Sequence, residues 1–434
     1  MMMNDKQDDV LVIGAGASGM MAAIAAARAG AKVRIVEKEK RPGRKLLLTG
    51  NGRCNLTNLD PDLPFAYHSV SDAAAAKTVA QQVLGRFGVP ETLRFFEELG
   101  LMIQDRDGCV YPASGQAQSV LNVLTAELER LKVRTNYNSE AAGLKFDKDM
   151  GAWLVKTPGW TYCSKAVIVS GGSRAGMPGT FDEKKGGVLT ALRKLGHSVT
   201  DPQPALTALH CTDPDIRMCE GARTRALVVL SDGRTGQEAA RDEGELQWTA
   251  SEISGIPAFN VSRFAYGISK SCPMTVSVDL LPGYEEEKIC ARLADLLCRT
   301  DGSGSLTRLM SGFTHEKVAA YLVKRSGLAD SLRRPDVKAG GDAYKAAAAR
   351  LAALIKHLSL TVDAVREVSR AQICIGGISL AEVDACTLES VFCPGLYLTG
   401  EILDIDGPCG GYNLQWAWSS GMTAGMAAGQ IQKM

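Results

Sequence analysis

An α/β chain built on one parallel sheet, and interrupted by a β-rich and a helical insertion, is what this sequence predicts. Three observations carry that reading. A strand, a glycine-rich turn, a helix and a second strand follow one another within residues 9–37. A second glycine-rich strand-to-helix junction stands at residues 396–421. Between the two lie a stretch of short strand-like runs and a stretch of amphipathic helical periodicity.

The bulk properties set the frame. A chain of 434 residues exceeds one simple core. Its 45% hydrophobic and 22% charged residues describe an ordinary globular protein. Forty-nine basic against 48 acidic residues leave a net charge of +1, which offers no global attraction to nucleic acid or to an anionic membrane. Twelve cysteines are scattered without a C-x-x-C pair, and the acidic N-terminal segment has no basic n-region. Free thiols in a reducing cytoplasm are therefore expected. Residues 10–27 form an apolar run, but their glycines suit a nucleotide-binding turn better than a membrane span.

Residues 9–14 read as a buried parallel strand of branched apolar residues ending on glycine. Gly14-Ala-Gly16-Ala17-Ser18-Gly19 then completes a G-x-G-x-x-G, an alanine-rich helix runs to about residue 29, and residues 32–36 form a second strand ending at Glu37 and Lys38. Gly14 permits the tight turn, Gly16 lets the backbone approach a pyrophosphate, and Gly19 seats the helix on the sheet. Free amides at the helix N-terminus favour the phosphates. Glu37 is placed to accept hydrogen bonds from a ribose, which disfavours a 2′-phosphate at this site and leaves FAD and NAD.

The far end of the chain decides between them. Residues 396–399 read as a buried strand; Gly400, Glu401 and Asp404 leave it, and Gly410 and Gly411 open a helix that starts at Tyr412 and Asn413. Gly421, Gly425 and Gly429 recur every four residues, a bare stripe suited to close packing on the sheet. An NAD dehydrogenase has no use for this second junction. In FAD proteins such a strand delivers an acid to the ribitol, and such a helix points its N-terminus at the flavin. Gly171 and Gly172, after the middle strand, complete the expected cofactor contacts.

Two signature segments then resemble the BaiN/YhiN-type family of NAD(P)/FAD-dependent oxidoreductases: "GRKLLLTGNGRCNLTN" at residues 43–58 and "GEILDIDGPCGGYNLQWAWSSG" at 400–421. Residues 371–390, "AQICIGGISLAEVDACTLES", are similar to the same family's pattern. The resemblance implies a Rossmann-type FAD-binding domain of the glutathione-reductase-like kind with two inserted domains. It also implies that the 43–58 loop folds over the flavin, with Arg44, Lys45, Gly50, Asn51, Gly52, Arg53, Asn55 and Thr57 around the cofactor. The chain departs from the family after Gly171-Gly172, in "SRAGMPGTFDEKKGGV", and at Thr387–Val391, so substrate identity transfers less well than FAD binding.

Residues 116–131 are helical in period, and "AWLVKTPGWTYCSKAVIVS" reads as a hairpin turning at Pro158-Gly159. Ser173 replaces the second glycine of a further fingerprint, so no separate NAD(P)H fold is expected. The expected domains are 1–193 with 371–434 for FAD, 194–281 with 358–370 for the β-rich insertion, and 282–357 for a helical cap. Five histidines lack i, i+4 pairing, so no metal site is expected, and His197, His210, His315 and His357 read as structural.

The resemblance implies an FAD-dependent reductase that delivers hydride to a C=C bond conjugated with a carbonyl, on a 3-oxo-steroid or bile-acid-type enone, with NAD(P)H as electron source. One alternative is a dihydrouridine-forming reductase of a uracil base in ribosomal RNA; another is a small-amine flavin oxidase. A small-molecule substrate is favoured over RNA, with no membrane and no obligate protein partner. Cys54, beside Arg53, is the candidate proton donor through a lowered pKa, and Tyr412 is its competitor; the alternative is that Cys54 merely packs, as most free cysteines do.

Overall fold

The structure, a computed structural model, describes residues 2–3, 7–176, 187–299, 304–331 and 342–430. The chain divides into two compact units, Met1–Gln203 with Val368–Met434, and Pro204–Glu367. Much of "SRAGMPGTFDEKKGGV" lies outside the described residues.

In the first unit the strands Arg134–Asn136, Val33–Val36, Asp8–Ile13, Trp160–Val169 and Leu396–Leu398 lie side by side in parallel. The central ones are apolar on both faces, since Val10, Leu11, Val12, Ile35, Val167, Ile168 and Val169 are all buried. That is the signature of a parallel sheet covered on both sides. The strand Trp160–Val169 has two roles along its length. Its first half pairs antiparallel with Ala152–Thr157, which pairs in turn with Gly143–Asp147, and its second half joins the parallel sheet. The hairpin does turn at Pro158-Gly159, with Trp160 opposite Thr157.

Two helices bring the chain ends together. Ala17–Arg28 follows the first strand, and Tyr412–Gly429 follows the last. The glycine stripe of the closing helix faces the first helix and not the sheet, which corrects the expectation. A β-carbon on Gly421 would stand 2.4 Å from the Ser18 carbonyl oxygen, one on Gly425 2.3 Å from that of Ala22, and one on Gly429 2.8 Å from Ala29 Cβ. The facing stripe is Ser18, Met21, Ala22, Ala25, Ala26 and Ala29, small except for Met21, whose Cβ would stand 3.0 Å from a β-carbon on Gly421. Small residues on both sides let the two backbones touch.

In the second unit six strands close a barrel in the order Leu209–Cys211, Glu252–Ser254, Glu238–Trp248, Arg223–Asp232, Met274–Asp279 and Leu358–Val365. The helices Glu286–Arg299, Glu316–Ser326 and Asp342–Lys356 belong to the same body. Leu293, Leu322 and Ile355 share one core with Val276, Val278 and Leu360. The helical segment expected as a separate cap therefore packs its apolar stripes onto the barrel, and the unit runs from 204 to 367. No helix among the described residues is long and apolar enough to cross a membrane.

The helix contact is directly testable. Gly425→Val places methyl groups where the Ala22 carbonyl and Ala25 already stand, and should destabilise the fold by about 1–3 kcal/mol or more through overpacking. Thermal melting of the purified variant checks this; an unchanged midpoint means that the two helices are not held at this distance.

Candidate cofactor and substrate site

The strand–turn–helix unit comes first. Gly14 has φ +102 and donates its N–H to Val36 O at 2.8 Å. A β-carbon on Gly14 would stand 2.4 Å from Ser170 O, and one on Gly19 2.0 Å from Gly14 O. Packing alone therefore accounts for these two glycines. Gly16 is different: a β-carbon there meets nothing within 4 Å. The protein has no steric need for a glycine at Gly16, so the open space at the N-terminus of the first helix is available to a ligand. Ala17 and Ser18 begin that helix, and Ser18 Oγ backs onto Gly400, where a β-carbon would stand 2.6 Å away. Glu37 lies buried under the turn, accepting the Ala15 N–H at 2.5 Å and the Glu39 N–H at 2.9 Å. Lys38 is half-buried beside it.

The 43–58 loop opens with two bound cations. Arg44 pairs with Glu39 at 3.0 Å, and Lys45 pairs with Glu401 at 2.5 Å while also donating to Ser173 Oγ at 3.2 Å. The chain then makes a 3-10 segment, Leu46–Gly52, whose tip leaves helical geometry: Gly50, Asn51 and Gly52 all take positive φ. Gly50 to Arg53 are exposed, while Cys54 to Thr57 are buried. The buried half is anchored by the closing helix, as Trp418 Nε1 donates to Leu56 O at 2.9 Å and Thr57 Oγ1 donates to Gln415 Oε1 at 2.7 Å. Asn55 is only 9% exposed, and its Oδ1 has no hydrogen-bond partner among the described residues. A buried acceptor without a donor calls for one from outside the chain.

At the late junction, Gly400 donates its N–H to Ser420 Oγ at 3.0 Å, and Glu401 is held by Lys45. Asp404, expected to meet the ribitol, is fully buried and already saturated. It accepts hydrogen bonds from Ser69 Oγ, Val70 N, Ser71 N and Ser71 Oγ. Its work is to tie down the 69–71 loop, and Glu401 is the acid left at that strand end. Gly171 is packed against Val188, whereas a β-carbon on Gly172 meets nothing. Gly411 is forced by the loop: a side chain there would stand 2.6 Å from the Thr57 backbone. Asn58 Nδ2 donates to Gly410 O at 2.8 Å. The Asn413 amide spans the 407–411 turn, accepting from Gly407 N and donating to Gly407 O and Pro408 O.

Neither expected proton donor has the environment required of it. Cys54 is 0% exposed, and burial pushes its thiol up to about 12 in place of the lowered value anticipated beside Arg53. It packs in the core and does not face open space. Tyr412 donates its only hydroxyl proton to Asp60 Oδ2 at 2.5 Å. Burial, reinforced by that carboxylate, holds the phenol well above the ordinary tyrosine range.

One feature escaped the sequence reading. Ile103–Arg106 and Cys109–Pro112 form a hairpin around Asp107-Gly108, both at positive φ, and Thr57–Asn58 adds a third strand. Asp-Gly between two short strand-like runs is the signal that could have found it. The hairpin brings Cys109 Sγ within 4.0 Å of Gly410 O and sets Tyr111 beside Gly50. The structure thus gathers the fingerprint turn, the 43–58 loop, the late strand end and the closing helix N-terminus into one place. Free amides, an open Gly16, an orphaned Asn55 oxygen and a clamped acid fit the polar, phosphate-bearing outline of FAD.

Comparison with known proteins extends this. The HI0933-like protein Rossmann domain family matches residues 8–427. The 3-dehydro-bile acid delta(4,6)-reductase of Clostridium scindens is 37% identical over 422 residues, covering 96% of this chain and 98% of that protein. The ribosomal RNA dihydrouridine synthase of Escherichia coli is 26% identical over 420 residues, covering 95% of this chain and 96% of that one. Its namesake from Haemophilus influenzae is 24% identical over 417 residues, covering 94% and 96% respectively.

Gly16→Val separates cofactor binding from folding. Because nothing packs there, apoprotein stability should change by no more than about 1 kcal/mol, the usual scale for a substitution at a helix N-cap, while bound flavin is lost. Yellow protein with full flavin content refutes the assignment. Cys54→Ala should leave substrate-driven flavin re-oxidation within about twofold of the parent, far from the 10²–10⁴-fold typical of a lost general acid. A hundredfold slowing restores Cys54 to the chemistry.

Proposed function

The chain belongs to the HI0933-like Rossmann-domain family and is an FAD-dependent oxidoreductase; we propose that it reduces a C=C bond conjugated with a carbonyl, on a 3-oxo-steroid or bile-acid-type enone. The observation that carries this is the 37% identity, end to end, with a 3-dehydro-bile acid delta(4,6)-reductase. FAD, when bound, supplies the hydride, and NAD(P)H is the proposed reductant. The chain's own residues bind and orient. The amides around Gly16 and Ala17 hold the pyrophosphate, and Glu37 takes the adenosine ribose. Glu401 takes the ribitol and is held in place by Lys45. The N-terminus of the closing helix, at Gly411 and Tyr412, favours negative charge developing beside it. The α-carbon takes its proton from water, since Cys54 is buried and the Tyr412 proton is committed to Asp60. Twelve free cysteines agree with a reducing cytoplasm.

A second reading has one observation in its favour, the 26% identity with a ribosomal RNA dihydrouridine synthase. Saturating a uracil ring is the same conjugate reduction on another scaffold. The charges around the site weigh against it. Of the three cations in the loop, Arg44 is neutralised by Glu39 and Lys45 by Glu401, which weakens the field that a polyanion would use.

Anaerobic stopped-flow mixing of the pre-reduced holoenzyme with a 3-oxo-4-ene steroid decides the matter. Rapid return of the oxidised-flavin absorbance is expected. If steroids leave the flavin reduced and a uracil-bearing ribosomal RNA fragment oxidises it, the second reading replaces the first.

A further inference from the structure

The hairpin missed in the sequence turns one of its faces toward the cofactor cradle. Its register sets Gln104 opposite Tyr111 and Arg106 opposite Cys109, and the third strand sets Asn58 opposite Cys109 as well. Residues opposite one another share a face, so Asn58, Cys109 and Tyr111 look the same way, while Thr57 and Val110 take the other side and are buried. Two contacts fix where the shared face looks. Asn58 Nδ2 donates to Gly410 O at 2.8 Å, and Cys109 Sγ stands 4.0 Å from the same oxygen. Tyr111 follows two residues on, about 7 Å along the strand. Its Cε1 lies 3.7 Å from where a β-carbon on Gly50 would stand. The face thus runs from the Gly410 turn to the tip of the 43–58 loop, with the phenol at its far end.

Hydrogen bonding singles out this residue. Four hydroxyl groups stand on the 43–58 loop, the hairpin and the first turn of the closing helix: Thr49, Thr57, Tyr111 and Tyr412. Three of them commit their proton inside the protein. Thr49 donates to Leu46 O at 2.6 Å, Thr57 to Gln415 Oε1 at 2.7 Å and Tyr412 to Asp60 Oδ2 at 2.5 Å. Tyr111 donates to no carbonyl or carboxylate among the described residues, and its polar neighbour is the Cys109 thiol, a weak acceptor. It is half-buried, and burial together with that thiol holds the phenol above the ordinary tyrosine range, so it keeps its proton at neutral pH. A half-buried donor of this kind, on the wall of a ligand site, takes its acceptor from outside the chain.

We infer that Tyr111 is a catalytic residue of the reduction, donating a hydrogen bond to the carbonyl oxygen of the substrate. This rests on the reductase reading and assigns a group that the reading leaves open. When hydride reaches the β-carbon, the electron pair of the C=C bond moves toward the carbonyl, whose oxygen becomes that of an enolate. The Tyr111 hydrogen bond strengthens as this charge grows, and the phenol keeps its own proton. Water then protonates the α-carbon and the C=O bond re-forms, so the product has gained one hydride and one proton. A donor aimed at the oxygen that gains charge stabilises the transition state more than the bound substrate.

Tyr111→Phe keeps the ring against Gly50 and removes only the hydroxyl, so its thermal midpoint should match that of the parent. The pre-reduced holoenzyme is mixed anaerobically with a 3-oxo-4-ene steroid. Flavin re-oxidation should slow by about 10²–10³-fold in the variant, the scale of one lost oxyanion donor, while reduction of the flavin by NADPH or NADH is unchanged. Unchanged re-oxidation overturns the inference. So does an equal slowing of both half-reactions, which marks a residue that only supports the fold. A second measurement needs no turnover. A steroid whose first ring is a phenol imitates the enolate once it ionises on the oxidised holoenzyme, where phenolate gives a long-wavelength charge-transfer absorbance with the flavin. Tyr111→Phe should weaken that ionisation about tenfold or more, as the loss of one charge-assisted hydrogen bond requires, and equal ionisation in both proteins overturns the inference. If steroids leave the flavin reduced and a uracil-bearing ribosomal RNA fragment oxidises it, the steroid reading fails and Tyr111 is judged on that fragment, whose ring carbonyl takes the same hydrogen bond; equal rates for parent and variant then overturn it. If neither oxidises the flavin, the reductase reading fails, and the ionisation of the phenol alone judges the Tyr111 donor.

Discussion

Everything at the site depends on one contact, the near approach of the helices Ala17–Arg28 and Tyr412–Gly429. It is made by exclusion: three bare glycines on one helix meet Ser18, Met21 and alanines on the other, so the closing helix puts no side chain of its own between the backbones there. Because the first helix carries the fingerprint turn and the closing helix carries Gly410 and Gly411, this contact sets the two halves of the cradle at a fixed spacing. Dispersion between close-packed backbones has no charge or hydrogen bond to redirect it, so the geometry is sensitive to a single methyl group.

The closing helix also carries a buried polar network that reaches away from the first helix. Gln415 accepts from Thr57 and donates to Thr92 and Ser419, while Ser419 donates to Phe87 O. Trp416 donates to Gly400 O, and Trp418 donates to Leu56 O. One helix therefore grips the 43–58 loop on one side and the late strand end on the other. A fully satisfied network of this kind specifies one arrangement, because any shift strands a buried donor or acceptor. Two buried atoms near it, Asn55 Oδ1 and Thr423 Oγ1 of the closing helix, have no partner among the described residues.

The Lys45–Glu401 pair belongs to the same logic. Its side chains are 25% and 17% exposed, so solvent screens part of the attraction and its contribution to stability is modest. Its value lies in placement: it joins the 43–58 loop to the late strand and fixes an acid at the strand end.

Local chemistry was legible in the sequence. The fingerprint glycines, the strand ending at Glu37, the hairpin at Pro158-Gly159 and the strand-to-helix junction at Gly410-Gly411 each follow from backbone geometry within a few residues, where spacing alone dictates what fits. Partnership was not legible. Spacing cannot say that Asp404 is spent on Ser69 and Ser71, that the Tyr412 proton goes to Asp60, or that Cys54 is sealed in a core where its thiol rises. Nor could it turn the glycine stripe toward a helix and away from the sheet, since either surface accepts a bare face. Such outcomes depend on which groups from distant parts of the chain arrive beside a residue and remove its water. Burial and long-range hydrogen bonding exist only once the chain has folded, and they decided which of the candidate residues remain free to meet a ligand.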